Sequence, residues 1–368
     1  MKERTPSAEA RALLARTADY ARPSVRASAG QILNSFGLFF GLLYLAWLSV
    51  AGGWWYGATL LLSALAGLSI LRIFIIQHDC GHGSFFASKR ANDAVGVICS
   101  IFTFIPYFYW RRQHAIHHAT TGNLERRGHG DMDVLTVREY QKLSRFQKLR
   151  YRIYRHPIGF LVLGPIFFLL VINRFVLDRK TTTSRERLNV YWTNALLAGL
   201  ICLLGMTFTW PVVAAVGLPM LFTASAAGIW MFYIQHQFEH TYWQHEDEWE
   251  YIQACMQGSS YYQLPRVLQW LTGNIGFHHI HHLKPLIPNY RLEACHEENE
   301  ALQAVPTLTL WSSIRTIMLT LWDEDQQRLI SFREYGRVYG KGRAVVESAP
   351  PAEHDAELPE GATPAPLR

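Results

Sequence analysis

Two long stretches of the chain contain no Asp, Glu, Lys or Arg. The first runs from Ala27 to Leu71, 45 residues, and the second from Leu188 to Phe238, 51 residues. A helix needs about 20 apolar residues to cross the hydrocarbon core of a bilayer, so each stretch is long enough for two crossings. Each also has a breaker near its middle, Gly52-Gly53-Trp54-Trp55 in the first and Trp210-Pro211 in the second. The pattern predicts two transmembrane hairpins with short outer tips. Two shorter apolar runs, Ala94 to Trp110 and His156 to Asn173, are 17 and 18 residues long and contain Pro106, Pro157 and Pro165. They are read as half-inserted, in-plane or re-entrant helices. The expected fold class is therefore all-α and integral to the membrane. It has four transmembrane helices in two hairpins, further in-plane or re-entrant helices and a cytoplasmic histidine-box cap. Four regions follow: a polar basic N-terminal segment over 1–30, a membrane domain over 31–300, a cytoplasmic helical segment over 301–347, and a tail over 348–368. The tail is rich in Pro, Ala and Glu and is expected to be disordered.

Composition supports a membrane protein. Only 17% of the 368 residues are charged, against about 25% in soluble domains. Aromatic residues reach 13%, with 12 Trp, which suits a chain with membrane–water interfaces. Trp54, Trp55, Trp110, Trp192, Trp210 and Trp243 are expected to be interfacial anchors. The net charge of +6 comes from cations that flank the apolar blocks, which favours anionic lipid headgroups over nucleic acid as the partner. All 35 Lys and Arg lie outside the two blocks. By the positive-inside rule the hairpin tips face away from the cytoplasm and both termini face it. In a bacterium this is the inner, cytoplasmic membrane. The five cysteines form no CxxC pair and are expected to be reduced thiols. The Arg-rich segment Met1 to Arg26 has no short apolar run behind it and does not read as a cleaved signal peptide.

The chemistry lies in the histidines. Of 16, most fall in clusters: His78-Asp79-Cys80-Gly81-His82, His114-Ala115-Ile116-His117-His118 and His278-His279-Ile280-His281-His282, with His236 and His240 as a fourth pair. Spacings of three and four share one helix face, so each box is expected to aim two or three imidazoles at a common point. The first box follows the second crossing, and His236 and His240 end the fourth. All four groups converge on one side of the membrane only if an even number of crossings separates box two from His236. That is a second reason to read His156 to Asn173 as non-crossing. About nine neutral imidazoles suit Fe, Zn, Cu or Ni. One zinc takes about four ligands and haem one or two, so two metal ions are implied. Two irons with O2 can oxidise an unactivated methylene, and the apolar setting fits a lipid substrate. The HExxH motif of zinc proteases is absent, Asp79 standing where its Glu would be. Isolated histidines, namely His129, His156, His245, His296 and His354, are read as ordinary surface or hydrogen-bonded residues.

The boxes resemble those of the membrane fatty acid desaturase superfamily, from about Ala27 to Leu292. The resemblance rests on His78 to Phe86, on His114 to His118 followed by Thr120-Thr121-Gly122-Asn123-Leu124, and on Gly276 to Leu283 with Pro288-Asn289-Tyr290-Arg291-Leu292. Three residues between the histidines of box one are similar to the acyl-lipid Δ12 (omega-6) and omega-3 branch, whereas the acyl-CoA Δ9 branch has four. Gln235-His236 is also similar to that branch. The resemblance implies iron ligation by His78, His82, His114, His117, His118, His278, His281 and His282, with His236 and then His240 as further ligands. It also implies two non-haem irons, O2 as co-substrate, a lipid acyl substrate and an external electron donor. No haem-binding HPGG signature is present, since His156-Pro157 is followed by Ile158-Gly159, so a separate ferredoxin or cytochrome b5-type protein is the expected donor. Asp79, Glu239, Asp131 and Asp133 are candidates for carboxylates that orient imidazoles, and His279 for a residue just behind the ligands. The implied activity is insertion of a cis double bond, of Δ12/omega-6 type. Alternatives are a hydroxylase, acetylenase or epoxygenase on the same scaffold, a desaturase of Δ9 or omega-3 regiospecificity, and a non-catalytic metal carrier. The last would need polar groups at mid-membrane, and the hairpins lack charge there.

Overall fold

The computed structural model describes residues 8–128, 132–177 and 181–340. A short helix, α1 (Ala8–Arg16), precedes the first hairpin, where the sequence suggested only a polar segment. That hairpin is α2 (Val25–Ala51) and α3 (Tyr56–His82), and the second is α9 (Ser184–Phe208) and α10 (Trp210–His236). Their most apolar windows have mean hydropathies of 1.6, 2.2, 1.5 and 1.9. Lengths of 25 to 27 residues give roughly 40 Å at about 1.5 Å per residue, more than the ~30 Å core. The surplus is polar and lies at the ends away from the hairpin tips. Ser24 caps α2, its hydroxyl accepting from the Ala27 N–H. The outer tip forms at Gly53, whose φ of +64° suits a residue without Cβ. In the second hairpin the reversal falls on Thr209, one residue before the Trp210-Pro211 pair that begins α10.

The spans associate through small residues. A Cβ on Gly67 would lie 2.3 Å from the Met220 carbonyl oxygen, so only glycine lets α3 and α10 approach this closely. This is the contact that membrane helices use in place of hydrophobic attraction. Ser49 and Thr59 hydrogen-bond across the first hairpin at 2.7 Å. α3 is the most enclosed span, and the outward faces of α2, α9 and α10 carry exposed Leu33, Phe40, Leu196, Leu203, Leu218 and Phe222.

Both shorter apolar runs belong to bent helix pairs. α4 (Lys89–Thr103) and α5 (Tyr107–Thr120) meet at 99°, breaking at Phe104 and Pro106. The opened backbone is satisfied by buried Gln77 of α3, whose Nε2 donates to the Ile105 carbonyl at 3.0 Å and whose Oε1 accepts from Thr103 at 2.6 Å. Freed backbone groups at membrane depth require such partners. α6 (Val137–Lys142) and α7 (Arg145–Tyr154) follow. The second bend, 62°, separates α7 from a helical stretch over Gly159–Ile172 that includes α8 (Gly164–Phe167). That stretch is roughly 20 Å long, short of a full crossing.

The C-terminal part departs from the expected helical segment. β1 (Leu135–Thr136), β4 (Leu319–Asp323) and β5 (Arg328–Ser331) form a small sheet in the order β1-β4-β5, and β2 (Tyr261–Gln263) pairs in parallel with β3 (Thr307–Thr309). Residues Leu321, Trp322, Leu329 and Ile330 in it are buried. Buried Arg155 fastens the sheet to the end of α10, donating to Gln237 Oε1 at 3.0 Å and to the Leu319 carbonyl at 2.9 Å. The remaining helices are α11 (Tyr251–Gln257), α12 (Arg266–Leu271), α13 (His278–Leu283), α14 (Leu292–Glu297), α15 (Leu310–Thr316) and α16 (Phe332–Val338). The expected tail over 348–368 lies outside the described residues.

Candidate metal centre

Box one occupies the last turns of α3, box two the last turns of α5, His236 the end of α10, and box three the short helix α13. Nine imidazoles meet there, in two groups. His78, His82, His114, His118 and His281 form one; His117, His236, His278 and His282 form the other. Within each, the donor nitrogens lie within 4.8 Å of one another.

The boxes do not each aim at one point, as the spacing suggested. His114 and His118 turn to the first group and His117 to the second. In box three, His278 and His282 turn to the second and His281 to the first. Neighbouring helix residues point about 100° apart, so an i, i+4 pair shares a group while the residue beside its second member reaches the other. The groups abut, with the His118 and His282 rings stacked 4.0 Å apart.

The nitrogen arrangement fits bound metal ions. Nε2 of His281 lies 3.0 Å from Nε2 of His78 and 2.9 Å from Nε2 of His118, which is 3.1 Å from Nε2 of His114. In the second group His278 and His236 bring their Nε2 atoms to 2.9 Å. Metal–imidazole bonds of about 2.0–2.1 Å place neighbouring nitrogens roughly 3 Å apart. The buried Nε2 of His82 and both ring nitrogens of buried His282 lack a hydrogen-bond partner, a costly state without a ligand. Burial, and then the neighbouring imidazoles, hold His278, His281 and His282 far below the ordinary histidine range. They are neutral, with lone pairs available.

Two of the imidazoles are aimed by hydrogen bonds on their far side. His78 Nδ1 meets Asp79 Oδ1 at 3.0 Å, and the other carboxylate oxygen accepts from the backbone N–H and side-chain Nδ2 of Asn289 at 2.7 and 2.8 Å. His236 Nδ1 meets the Gly258 carbonyl oxygen at 2.9 Å. Such partners fix the tautomer and leave Nε2 facing the ion. Asn289 lay within a quoted motif but had no assigned role, and a backbone carbonyl such as that of Gly258 leaves no signature in sequence.

Several expected residues stand elsewhere. His240 and Glu239 are exposed and outside both groups. α10 ends at His236, so the helical register that would have aligned His240 with it is lost. Glu239 instead pairs with Arg328 at 3.1 Å. Asp133 is an exposed loop residue whose backbone bonds Tyr154. Asp131 and His129 lie outside the described residues, as does His354. His279 is buried away from both groups, with its ring 5.4 Å from that of His296 and 6.3 Å from that of Tyr261. Of the expected tryptophan anchors, Trp54, Trp55, Trp192 and Trp210 are exposed. Trp243 is buried in the core with Leu124 and Trp322. Trp110 stacks on His114 at 4.6 Å and 18°. It belongs to a set spaced four residues ahead of a histidine, with Phe74 before His78 and Phe232 before His236. Each lies one helical turn before its histidine; Phe74 and Trp110 also meet edge to face at 5.2 Å, and Phe232 lies 5.1 Å from His117.

The family model for fatty acid desaturases matches residues 52–312, most of the chain. The chain belongs to the fatty acid desaturase family. It is similar to a fatty acid desaturase of Bacillus subtilis, 44% identical over 333 residues that cover 90% of this chain and 94% of the relative. It is also similar to an sn-1 oleoyl-lipid 12-desaturase of Synechocystis, 27% identical over 265 residues, 70% of each chain. An sn-1 acyl-lipid omega-3 desaturase (ferredoxin) of Nostoc is 26% identical over 299 residues, 78% of each chain. Family membership makes this an oxidoreductase acting on fatty acyl chains, and its four apolar spans make it a membrane protein.

Proposed function

We propose that this desaturase holds two non-haem irons and inserts a cis double bond into a lipid-linked acyl chain, of Δ12/omega-6 type. The observation that carries the reading is the pair of abutting histidine groups at the ends of the apolar spans α3 and α10, completed by α5 and α13. His78, His82, His114, His118 and His281 would hold one ion, and His117, His236, His278 and His282 the other. Nitrogen-rich sites of this kind suit iron among other metals, and an O2-dependent oxidation selects it. When bound, the irons supply the oxidising power that, with O2, two electrons and two protons, converts –CH2–CH2– to –CH=CH– and two waters.

The chain's own residues position and insulate. Asp79 and the Gly258 carbonyl keep two imidazoles in the tautomer that presents Nε2. Phe74, Trp110 and Phe232 form the surface against which an acyl segment would lie beside the histidines. Orientation contributes much of the rate when the reacting group is oxygen-derived and the substrate bond is unactivated. The Δ12/omega-6 assignment is supported by the three-residue gap in box one and by the oleoyl-lipid relative. The positive-inside distribution supports a site facing the cytoplasm. A ferredoxin or a cytochrome b5-type protein would deliver the electrons there; one relative is named for ferredoxin.

The test is expression in a host whose lipids are only saturated and monounsaturated, with double bonds located by mass spectrometry, and metal analysis of the purified protein. New diunsaturated chains and about two irons per chain are expected. Hydroxylated products, or one zinc and no iron after metal-replete growth, would overturn the proposal.

A further inference from the structure

A cavity of 770 Å³ lies at the histidine end of the first hairpin, between the start of α2, the middle of α3 and the α12 segment. Three arginines line it: Arg26, Arg72 and Arg266. Arg72 is 7% exposed and sits one residue past the charge-free block. Its guanidinium stacks on Trp270 at 3.9 Å, donates to the Trp270 carbonyl, and holds Asn34 Oδ1 at 3.1 Å. Among the described residues no carboxylate forms an ion pair with it. Arg26 and Arg266 are exposed and form no ion pair among the described residues. Glu293 is the one acidic residue on the lining, so the cavity keeps an excess of two positive charges.

A second observation points to a missing acceptor. Gln31, 4% exposed, also lines this cavity, and its Nε2 has no hydrogen-bond partner. Its orientation is fixed, because Oε1 accepts from Asn289 Nδ2 at 3.1 Å. A buried donor without an acceptor is expensive. It lines the same cavity as three guanidinium groups, whose planar forks suit phosphate oxygens. Around the cavity Val25, Leu33 and Val267 are 71 to 77% exposed. Such exposed apolar positions at the end of two apolar spans suit a bilayer, which favours an anion carried on a lipid.

We propose that this cavity binds the phosphate of a glycerophospholipid headgroup. The cavity reaches the metal centre through one hydrogen-bonded line, Gln31 to Asn289 to Asp79 to His78. A phospholipid anchored here has its headgroup beside α2 and α3, six residues, or roughly 9 Å, along α3 from His78. Its role as the acyl donor rests on the desaturase reading; its binding does not.

The experiment is native mass spectrometry of the full-length protein in neutral detergent, doped in turn with dioleoyl-phosphatidylglycerol, dioleoylglycerol or oleic acid. The wild type should retain the phosphatidylglycerol about tenfold over either of the others. Arg26→Gln/Arg266→Gln, two exposed changes that leave the core intact, should bring that ratio close to one. Lys89→Gln/Arg90→Gln, which removes two exposed cations at the same end outside the cavity, should leave it unchanged. Equal loss with both pairs would mean general surface attraction and would overturn the proposal. So would equal retention of oleic acid, which would make the site one for carboxylates. Displacement of the lipid by inorganic phosphate at equal concentration would assign the site to a soluble ligand. Selective retention by a protein that makes no double bonds would leave this inference standing and count against the desaturase reading. Turnover with no lipid selectivity would do the reverse.

Discussion

Replacing Asp79 with Asn should empty the first histidine group before the second. The carboxylate is buried and accepts three hydrogen bonds, from His78 Nδ1 at 3.0 Å and from two nitrogens of Asn289 at 2.7 and 2.8 Å. Asparagine has one acceptor oxygen and a donating NH2. It can satisfy either His78 or Asn289 but sets a donor against the other. A hydrogen bond to a charged group contributes about 1.5–3 kcal/mol, and loss of a carboxylate behind a ligating imidazole weakens metal binding by roughly 10–100-fold. The two figures agree, since about 1.4 kcal/mol is a factor of ten. The assay is metal content of purified protein after equilibration with graded chelator. Asp79→Asn should lose one ion per chain at a chelator concentration at least tenfold below that needed for the wild type, with the second ion following later. Asn289→Ala should show part of the effect, and exposed Asp133→Asn none. If Asp79→Asn holds both ions as tightly as the wild type, the carboxylate does not orient His78 and the reasoning fails.

His82→Ala, His117→Ala and His281→Ala should each abolish desaturation while the protein stays in the membrane, whereas His240→Ala should keep near-normal activity; product analysis and fractionation decide both. A reporter inserted after Gly53 should give the outer-side signal and one after Lys180 the cytoplasmic signal; an outer signal at Lys180 would mean that 156–173 crosses. His245 is pulled down by partial burial but raised overall by Glu125 and Glu324, so its folded pKa exceeds its unfolded value near 6.5. Its contribution is therefore complete below that value and lost as pH rises through the folded pKa. His245→Gln should lower the melting temperature in detergent at about pH 5.5 and have little effect at about pH 8.5; equal effects at both would remove charge from the explanation.

The spans were legible because membrane crossing imposes a length and a charge rule that a sequence displays directly. The ends of α2, α3, α9 and α10 sit where the charge-free blocks and their breakers indicated, apart from the extra turns of α3 that carry box one. The clustering of the histidines was legible because i, i+4 histidines have one geometric meaning on a helix. What sequence could not display was the division of boxes two and three between two groups, which depends on how α5 and α13 are rotated toward each other. His240 was misplaced for a related reason. Spacing has its helical meaning only while the helix lasts, and α10 stops at His236. The sheet β1-β4-β5 was missed because its strands are two to five residues long and pair across a separation far greater than any local pattern covers. Trp110 and Trp243 look like interface residues by type, and only their contacts show otherwise.

The centre also has a history in the ribosome. His78 and His281 bring their nitrogens to 3.0 Å across 203 positions of chain, so when the first hairpin is made its two histidines lack their neighbours on α5 and α13, Asp79 lacks Asn289 and Arg72 lacks Trp270, although Asp79 already has His78 and Arg72 already has Asn34. The set is complete only when α13 has left the exit tunnel. Synthesis at about 5–20 residues per second makes that an interval of roughly 10–40 seconds. A chain stopped before residue 278 lacks three of the nine clustered imidazoles, and both groups are incomplete until α13 is made.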